Sequence, residues 1–252
     1  MRRRPDTQLG EVKALCATGL SDYEVARRTG VPRSTVQHWR SRPSREGGWT
    51  PANPEWRPPR PELYAYLLGV YLGDGHIVVV GRSARICVSL DSVYPGIVEE
   101  VTAALTGTFP SATVRCRRRQ ASRVRLLQMS NPNLPVAFPQ HGPGPKHRRE
   151  IRLAEWQRLI VHDEPQALLR GLIHSDGARC VNRFDTGLPS GRVAHYEYPR
   201  YFFSNLSSDI RGIFCDGCEQ LGIKWTQSNH RNISVAHRAS VAYLDSFVGP
   251  KA

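Results

Sequence analysis

Apolar positions change their spacing twice along the chain. Between residues 7 and 40 they are sparse and helical in period. LGEVKALCATG is an amphipathic stretch closed by Gly19. SDYEVARRTG opens with Ser21 and Glu24 at capping-box spacing and closes at Gly30, and VPRSTVQHWR begins on Pro32. The pattern predicts three short helices around a mini-core of Leu15, Leu20, Val25, Ala26, Val31, Val36 and Trp39. Residues 41–60, SRPSREGGWTPANPEWRPPR, lose all periodicity and read as a semi-extended linker. Its Trp49 and Trp56 either anchor it to a neighbouring domain or stay partly exposed. From residue 61 onward, helical and alternating patterns follow one another in the same order twice.

The repeat is anchored by two apolar helical runs, LLGVYLGDG (67–75) and LRGLIHSDG (169–177), offset by 102 positions. Each ends on an aspartate, Asp74 or Asp176, where a helix exposes free carbonyls. A carboxylate there costs a few tenths of a kcal/mol, up to about 1. Each run also has small residues four apart on one helical face, Gly69 and Gly73 in the first, Gly171 and Ser175 in the second. Such a face lets two helix backbones approach closely. Packed side by side and parallel, the helices bring the two aspartates together. Adjacent carboxylates repel unless protonated or bridged by a cation, and hard divalent cations take oxygen ligands, often only one or two of them protein carboxylates.

The two runs resemble the motif of the LAGLIDADG homing endonucleases, LRGLIHSDG at six of nine positions and LLGVYLGDG at four. The resemblance implies that Asp74 and Asp176 are catalytic carboxylates holding Mg²⁺ or Mn²⁺, with Gly73 and Ser175 beside them at the metal. The motif's earlier acidic position is Leu72 and His174 here; in the family it is not the metal ligand. Lys146 and Lys251, ending GPGPK and VGPK, match the basic residue that the family places near the metal after each repeat's last helix. His76 and His174 flank the aspartates, and structural roles are the plainer expectation for both. The implied fold is α+β: two pseudo-twofold-related αββαββα repeats with saddle-shaped sheets over DNA, preceded by a small all-α unit. The expected divisions are 1–42, a linker 43–60, a first repeat 61–150 and a second 151–252.

Strand-like and helical runs fit that order. In the first repeat they are HIVVVG, ARICVSLD, SVYPGIVEEVTAALTG, ATVRCRRR and SRVRLLQMS. In the second they are ARCVNRF, YFFSNLSS, DIRGIFCDGCEQLG, KWTQSN, NISVAH and ASVAYLDSFVGPK. SLDSVYPGI aligns with NLSSDIRGI at an offset of 116, and the 14 extra residues suggest a longer hairpin loop around DTGLPSGRVAHYEY. Arg115, Arg117, Arg119, Arg123 and Arg125 all stand at odd positions, which predicts one basic ladder beside Gln128, suited to phosphates and guanine edges. The first 40 residues resemble a helix-turn-helix of the resolvase or homeodomain-like kind. That likeness makes Arg33, Ser34, Thr35, Gln37 and His38 candidate base or phosphate contacts.

Charge agrees with a polyanionic partner: the chain has 252 residues, a formal net charge of +13 and a pI near 10.0. Only four basic residues are lysine, so codon bias contributes to the excess, although bias alone would not cluster it. No apolar run approaches a membrane span, and MRRRPD is not followed by an apolar stretch, so a cytoplasmic, nucleoid-associated protein without a membrane partner is expected. The six cysteines are irregularly spaced; CDGC at 215–218 lacks a second pair and reads as reduced thiols. These features favour a monomeric, site-specific endonuclease acting on double-stranded DNA, with no small-molecule substrate. The alternative is a DNA-binding regulator that keeps the fold without cutting; an RNA maturase is a third reading.

Overall fold

The computed structural model describes residues 6–41, 53–80, 83–118, 122–187, 189–249 and 251. The chain divides into two compact units, Met1–Gly48 and Trp49–Ala252. The first holds α1 (Asp6–Ala17), α2 (Asp22–Thr29) and α3 (Arg33–Ser41). The capping box forms: Glu24 N–H donates to Ser21 Oγ at 3.3 Å, and Ser21 N–H donates to the Glu24 carboxylate at 3.1 Å. Such a cap contributes about 1 kcal/mol. Gly30, at φ 66°, ends α2 in the left-handed conformation that glycine adopts without strain. The core is Val12, Val25, Val31 and Val36, with Leu15, Leu20, Ala26 and Trp39 against it. Val12 joins the expected set. Arg40 ties α3 to the start of α2 through the Asp22 carboxylate, 2.6 Å away.

The second unit is α+β. Its first repeat runs α4 (Pro61–Asp74), β1 (Gly75–Val80), β2 (Ser83–Asp91), α5 (Pro95–Thr108), β3 (Arg115–Arg118), β4 (Val124–Ser130) and α6 (Leu134–Ala137). An unanticipated helix, α7 (Glu155–Asp163), follows. The second repeat is α8 (Pro165–Asp176), β5 (Gly177–Gly187), β6 (Val193–Ser204), α9 (Ser208–Gln220), β7 (Thr226–Gln227), β8 (Asn232–Val235) and α10 (Arg238–Phe247). Each repeat builds an antiparallel four-stranded sheet, in the orders β1-β2-β4-β3 and β5-β6-β8-β7. One face of each sheet packs on helices: Ile86, Val88 and Leu127 in the first, Tyr201, Phe203 and Ile233 in the second, are all buried. The other face is open. Trp56 is buried, stacked on Phe109 at 5.0 Å, so it anchors residues 53–60 to this unit; Trp49 lies outside the described residues. No described helix is long and apolar enough to cross a membrane.

The helices α4 and α8 lie parallel and nearly backbone to backbone. A Cβ built on Gly69 would sit 2.5 Å from the Leu168 carbonyl oxygen and 2.7 Å from the Leu172 nitrogen; one on Gly171 would collide with the Tyr66 carbonyl. Farther along, one on Gly73 would collide with the Ser175 side chain. The small-residue face is therefore a requirement of the packing, as its spacing predicts.

Two sequence expectations need correction. The offset of 116 does not hold. Gly75 pairs with Val88 and Gly177 with Phe203, an offset of 115 on the strands. The buried stripe Ile97, Val101, Leu105 matches Ile210, Phe214, Cys218, an offset of 113 on the helices. The two turns are equally long, residues 92–94 and 205–207, so the two-residue difference lies in β2, which runs two residues farther past its matched position than β6 does. The extra length of the second hairpin also lies mostly in its strands rather than its loop. Pairing covers Gly75–Val80 against Ser83–Val88 in the first hairpin, and Gly177–Gly187 against Val193–Phe203 in the second. Stacking of Phe184 on Tyr196, a cross-strand pair with centroids 5.1 Å apart, favours continued pairing where a loop was expected.

Gly171→Val should unfold the second unit or cost it about 3 kcal/mol or more, because backbone atoms of α4 have nowhere to move. Gly212→Ala on α9, with nothing within 4 Å of the new methyl, should instead add about 0.5–1 kcal/mol. Urea denaturation of the two variants checks both signs.

Candidate functional site

The parallel helices end at the same level, and their last residues, Asp74 and Asp176, are both half-buried. Gly75 and Gly177 leave the helices in extended conformation and start β1 and β5, so each aspartate stands at a helix-to-strand corner. Both corner glycines are held against their helix: a Cβ on either would sit 2.7 Å from the Cα of Tyr71 or Ile173. The motif's final glycine is thereby explained by close approach rather than by a positive φ.

The carboxylates share one electrostatic environment. Asp74 is pushed up to about 6, by burial first and by the Asp176 charge second, with Lys251 and Lys146 pulling the other way. Burial also raises Asp176, offset by the Asn205 side-chain amide, which donates to Oδ2 at 2.6 Å, and by both lysines. Lys146 is pushed down to about 8 by burial, against the pull of both aspartates; burial lowers Lys251 too. Four groups far apart in sequence thus titrate against one another at the two helix ends.

The lysines also answer the free carbonyls. Lys146 Nζ donates to the carbonyls of Tyr71, Leu72 (3.0 Å) and Gly73 (3.1 Å), capping α4 with a full positive charge, and lies 4.8 Å from the centre of the Tyr71 ring. Lys251 donates to the carbonyl of Gly177, the first residue of β5 after the other helix. Gly73 therefore lies at the site, with its carbonyl held by Lys146. Ser175 lies beside it, but its hydroxyl turns back to the Gly171 and Leu172 carbonyls at 3.1 and 3.0 Å.

Of the two histidines, His174 is structural. It is buried, 3.0 Å from the Tyr66 hydroxyl through Nδ1 and 3.1 Å from the Val248 carbonyl through Nε2. Arg170 binds Glu100 through two bonds of 2.6 and 2.7 Å and donates to the Phe247 and Val248 carbonyls. These contacts pin the end of α10 to α5 and α8, three residues before Lys251. His76 is exposed on β1 and lines a cleft with Gly73, Lys146, Asp176 and Asn205.

The donor set at the helix ends is two carboxylates and nearby backbone carbonyls, all hard oxygens. Among the described residues no cluster of three or more His, Cys, Asp and Glu could hold a metal. That set fits a hydrated hard cation such as Mg²⁺ or Mn²⁺ and not a nitrogen- or sulfur-ligated metal. Cys215 and Cys218 are buried free thiols on α9.

The arginine ladder is not one ladder. Arg115 pairs with Gln128 and Arg117 with Leu126, so odd positions of β3 share a face with even positions of β4. Arg115 and Arg117 stand on the open face with Arg85, Gln128 and Ser130, where they line a cleft. Arg125 pairs with Leu90 and Arg118 on the face of Val88 and Leu127, which packs on helices. The turn between the strands reverses the parity that a single odd-numbered set assumes. Arg123 is exposed in the turn before β4, and Arg119 lies outside the described residues. In the first unit Arg33, Ser34, Gln37 and His38 are exposed on α3 and Thr35 is half-buried. Asn205 and Arg85 escaped sequence reasoning. The former has no counterpart in the motif, and the latter joins the open face only through strand register.

The raised Asp74 gives a signed pH dependence. The folded chain holds that proton more tightly than the unfolded chain, whose value is 3.8. The associated stability is complete below about pH 3.8 and lost as pH rises through about 6. Asp74→Asn should therefore stabilise the metal-free protein at pH 8 by about 1–3 kcal/mol and leave it unchanged near pH 4. Equal urea midpoints for the two proteins at pH 8 would refute the electrostatic account.

Residues 10–50 match the family model of a homeodomain-like domain. No curated protein matches the chain. Solved structures similar to it include the LAGLIDADG meganuclease I-AabMI bound to uncleaved DNA, at 12% identity over 73% of this chain and 82% of that one, with a TM-score of 0.45. The I-SmaMI LAGLIDADG homing endonuclease bound to cleaved DNA matches at 10% identity over 81% and 85%, TM-score 0.47. I-LtrWI bound to target DNA matches at 8% over 75% and 84%, TM-score 0.47. The chain is thus similar to LAGLIDADG homing endonucleases at low sequence identity, and residues 10–50 to a homeodomain-like domain.

Proposed function

We propose that this chain is a site-specific DNA endonuclease of the LAGLIDADG homing type, hydrolysing phosphodiester bonds of double-stranded DNA with a divalent cation. The observation that carries the reading is the pair of half-buried aspartates at the ends of two parallel, backbone-packed helices, with two lysines in the same electrostatic environment. Asp74 and Asp176 would hold Mg²⁺ or Mn²⁺, which when bound supplies an activated water and neutralises the leaving oxygen. Asn205 fixes the Asp176 carboxylate through Oδ2. Lys146 and Lys251 oppose negative charge at the helix ends, and Lys146 lines the cleft that a phosphate would enter. The open sheet faces and the outward face of α3 would hold the duplex. The chain is proposed to act as a monomer, since it carries both aspartates.

A second reading, a non-cleaving DNA-binding regulator, is favoured by the separate helical unit with its exposed polar row on α3. The two readings divide on one experiment. The full chain is first bound to a genomic fragment library in Ca²⁺, then switched to Mg²⁺, and both enriched fragments and new ends are sequenced. The nuclease yields discrete ends within enriched fragments. Asp74→Asn and Asp176→Asn should each slow cutting by about a hundredfold or more while binding stays within a fewfold. Equal cutting by wild type and both variants would sink the two-carboxylate mechanism, and enriched fragments that stay whole would establish the regulator.

A further inference from the structure

The open faces of the two sheets differ in chemistry. On the first, the register gathers Arg85, Arg115, Arg117, Gln128 and Ser130. Arg115 and Arg117 are both exposed. On the second, the register sets Asn182 against Tyr198 and Phe184 against Tyr196. Phe184 and Tyr196 stack at 17° between ring planes, and Tyr198 meets Phe184 edge-on at 6.1 Å. Phe184 is 43% exposed and Tyr196 45%. On this face the Asn182 amide donates to the Tyr198 hydroxyl at 3.0 Å, and Arg200 lies over the Phe202 ring and donates to Ser234 at 2.6 Å, its buried Nε left without a partner.

Phe184 and Tyr196 belong to the part of the hairpin that the first repeat lacks. Five paired positions extend it by roughly 17 Å at about 3.4 Å per residue. The opposite face of the same extension carries the ion pair Arg183–Glu197 and the Asp185–His195 hydrogen bond, as a solvated face does. Phe184 and Tyr196 therefore stand on the face of their own sheet that also carries Tyr198 and Arg200, in a chain of net charge +13. In the major groove of unmodified DNA the distinctive apolar group is the thymine methyl, whereas forked guanidinium donors suit guanine O6 and N7. Pre-stacked rings also lose little side-chain freedom on contact.

We infer that the two repeats read different halves of a duplex target: the first selects guanine through Arg115 and Arg117, and the second selects thymine through its 5-methyl group against Phe184 and Tyr196. The inference rests on the DNA-binding reading above and adds the composition of the site. It makes the target asymmetric, with the thymine-rich half reaching farther from the centre.

The test selects duplexes with the full-length wild-type chain in Ca²⁺, then rebuilds the preferred duplex with deoxyuridine for thymidine in one half at a time. Removing each contacted methyl should weaken binding about fourfold in one half and leave the other unchanged. Arg117→Ala should relax guanine preference only in the uracil-tolerant half. In a Phe184→Ala/Tyr196→Ala variant, uracil and thymine should bind alike. Uracil tolerated in both halves overturns the inference while leaving DNA binding intact; failure to enrich any duplex overturns both. Because the uracil comparison uses the unaltered protein, it decides the matter even if the double variant fails to fold.

Discussion

Everything at the proposed reaction centre depends on how closely α4 approaches α8. Helices usually pack with axes 8–10 Å apart, separated by side chains. Here Gly69 and Gly171 remove those side chains, and backbone atoms of one helix occupy the space a Cβ would need on the other. The apolar neighbours Leu67, Leu68, Val70, Leu168, Leu169 and Leu172 are all buried around that contact. Parallel packing then places the two helix ends at one level. Each end carries partial negative charge from its carbonyls, and each adds an aspartate. The fold spends core packing to create a local charge conflict, an arrangement found where stability is traded for function.

The conflict is contained by groups from distant parts of the chain. Lys146 neutralises the last carbonyls of α4, Lys251 binds the Gly177 carbonyl where β5 begins, and Asn205 donates to Asp176. Each lysine arrives by a different route, Lys146 after α6 and Lys251 after α10. The second route is secured by Arg170 and His174, which hold the carbonyls at the end of α10. His174 occupies a motif position that is acidic in the resembled family. Its burial and its two partners account for a histidine there without assigning it chemistry.

What was legible in the sequence was local and periodic. The glycine spacing on the motif helices, the capping box of α2 and the order of elements all follow from patterns within one helix or one hairpin. What was not legible depends on pairing between segments. An odd-numbered run of arginines looks like one face, but Arg117 and Arg125 fall on opposite faces because β4 takes its parity from pairing with β2. The two extra residues at the end of β2, relative to β6, are equally invisible to an ungapped alignment. Asn205 reaches the site only because β6 delivers the chain there. Trp56, left open between anchor and exposure, was decided by Phe109, more than fifty residues away.

Duplication followed by divergence leaves some features fixed and others free. The aspartates, the corner glycines and the small-residue face are constrained jointly, since each repeat's helix must fit the other's. The sheets meet no such mutual constraint on their open faces. There one repeat presents arginines, while the other has a longer hairpin carrying stacked rings, with Asn182 bonded to the Tyr198 hydroxyl beside them. A symmetric pair of helices carrying asymmetric surfaces can place one kind of chemistry at the centre of a sequence that is not a palindrome. Two copies of a single repeat could not do this, because identical surfaces would demand identical halves.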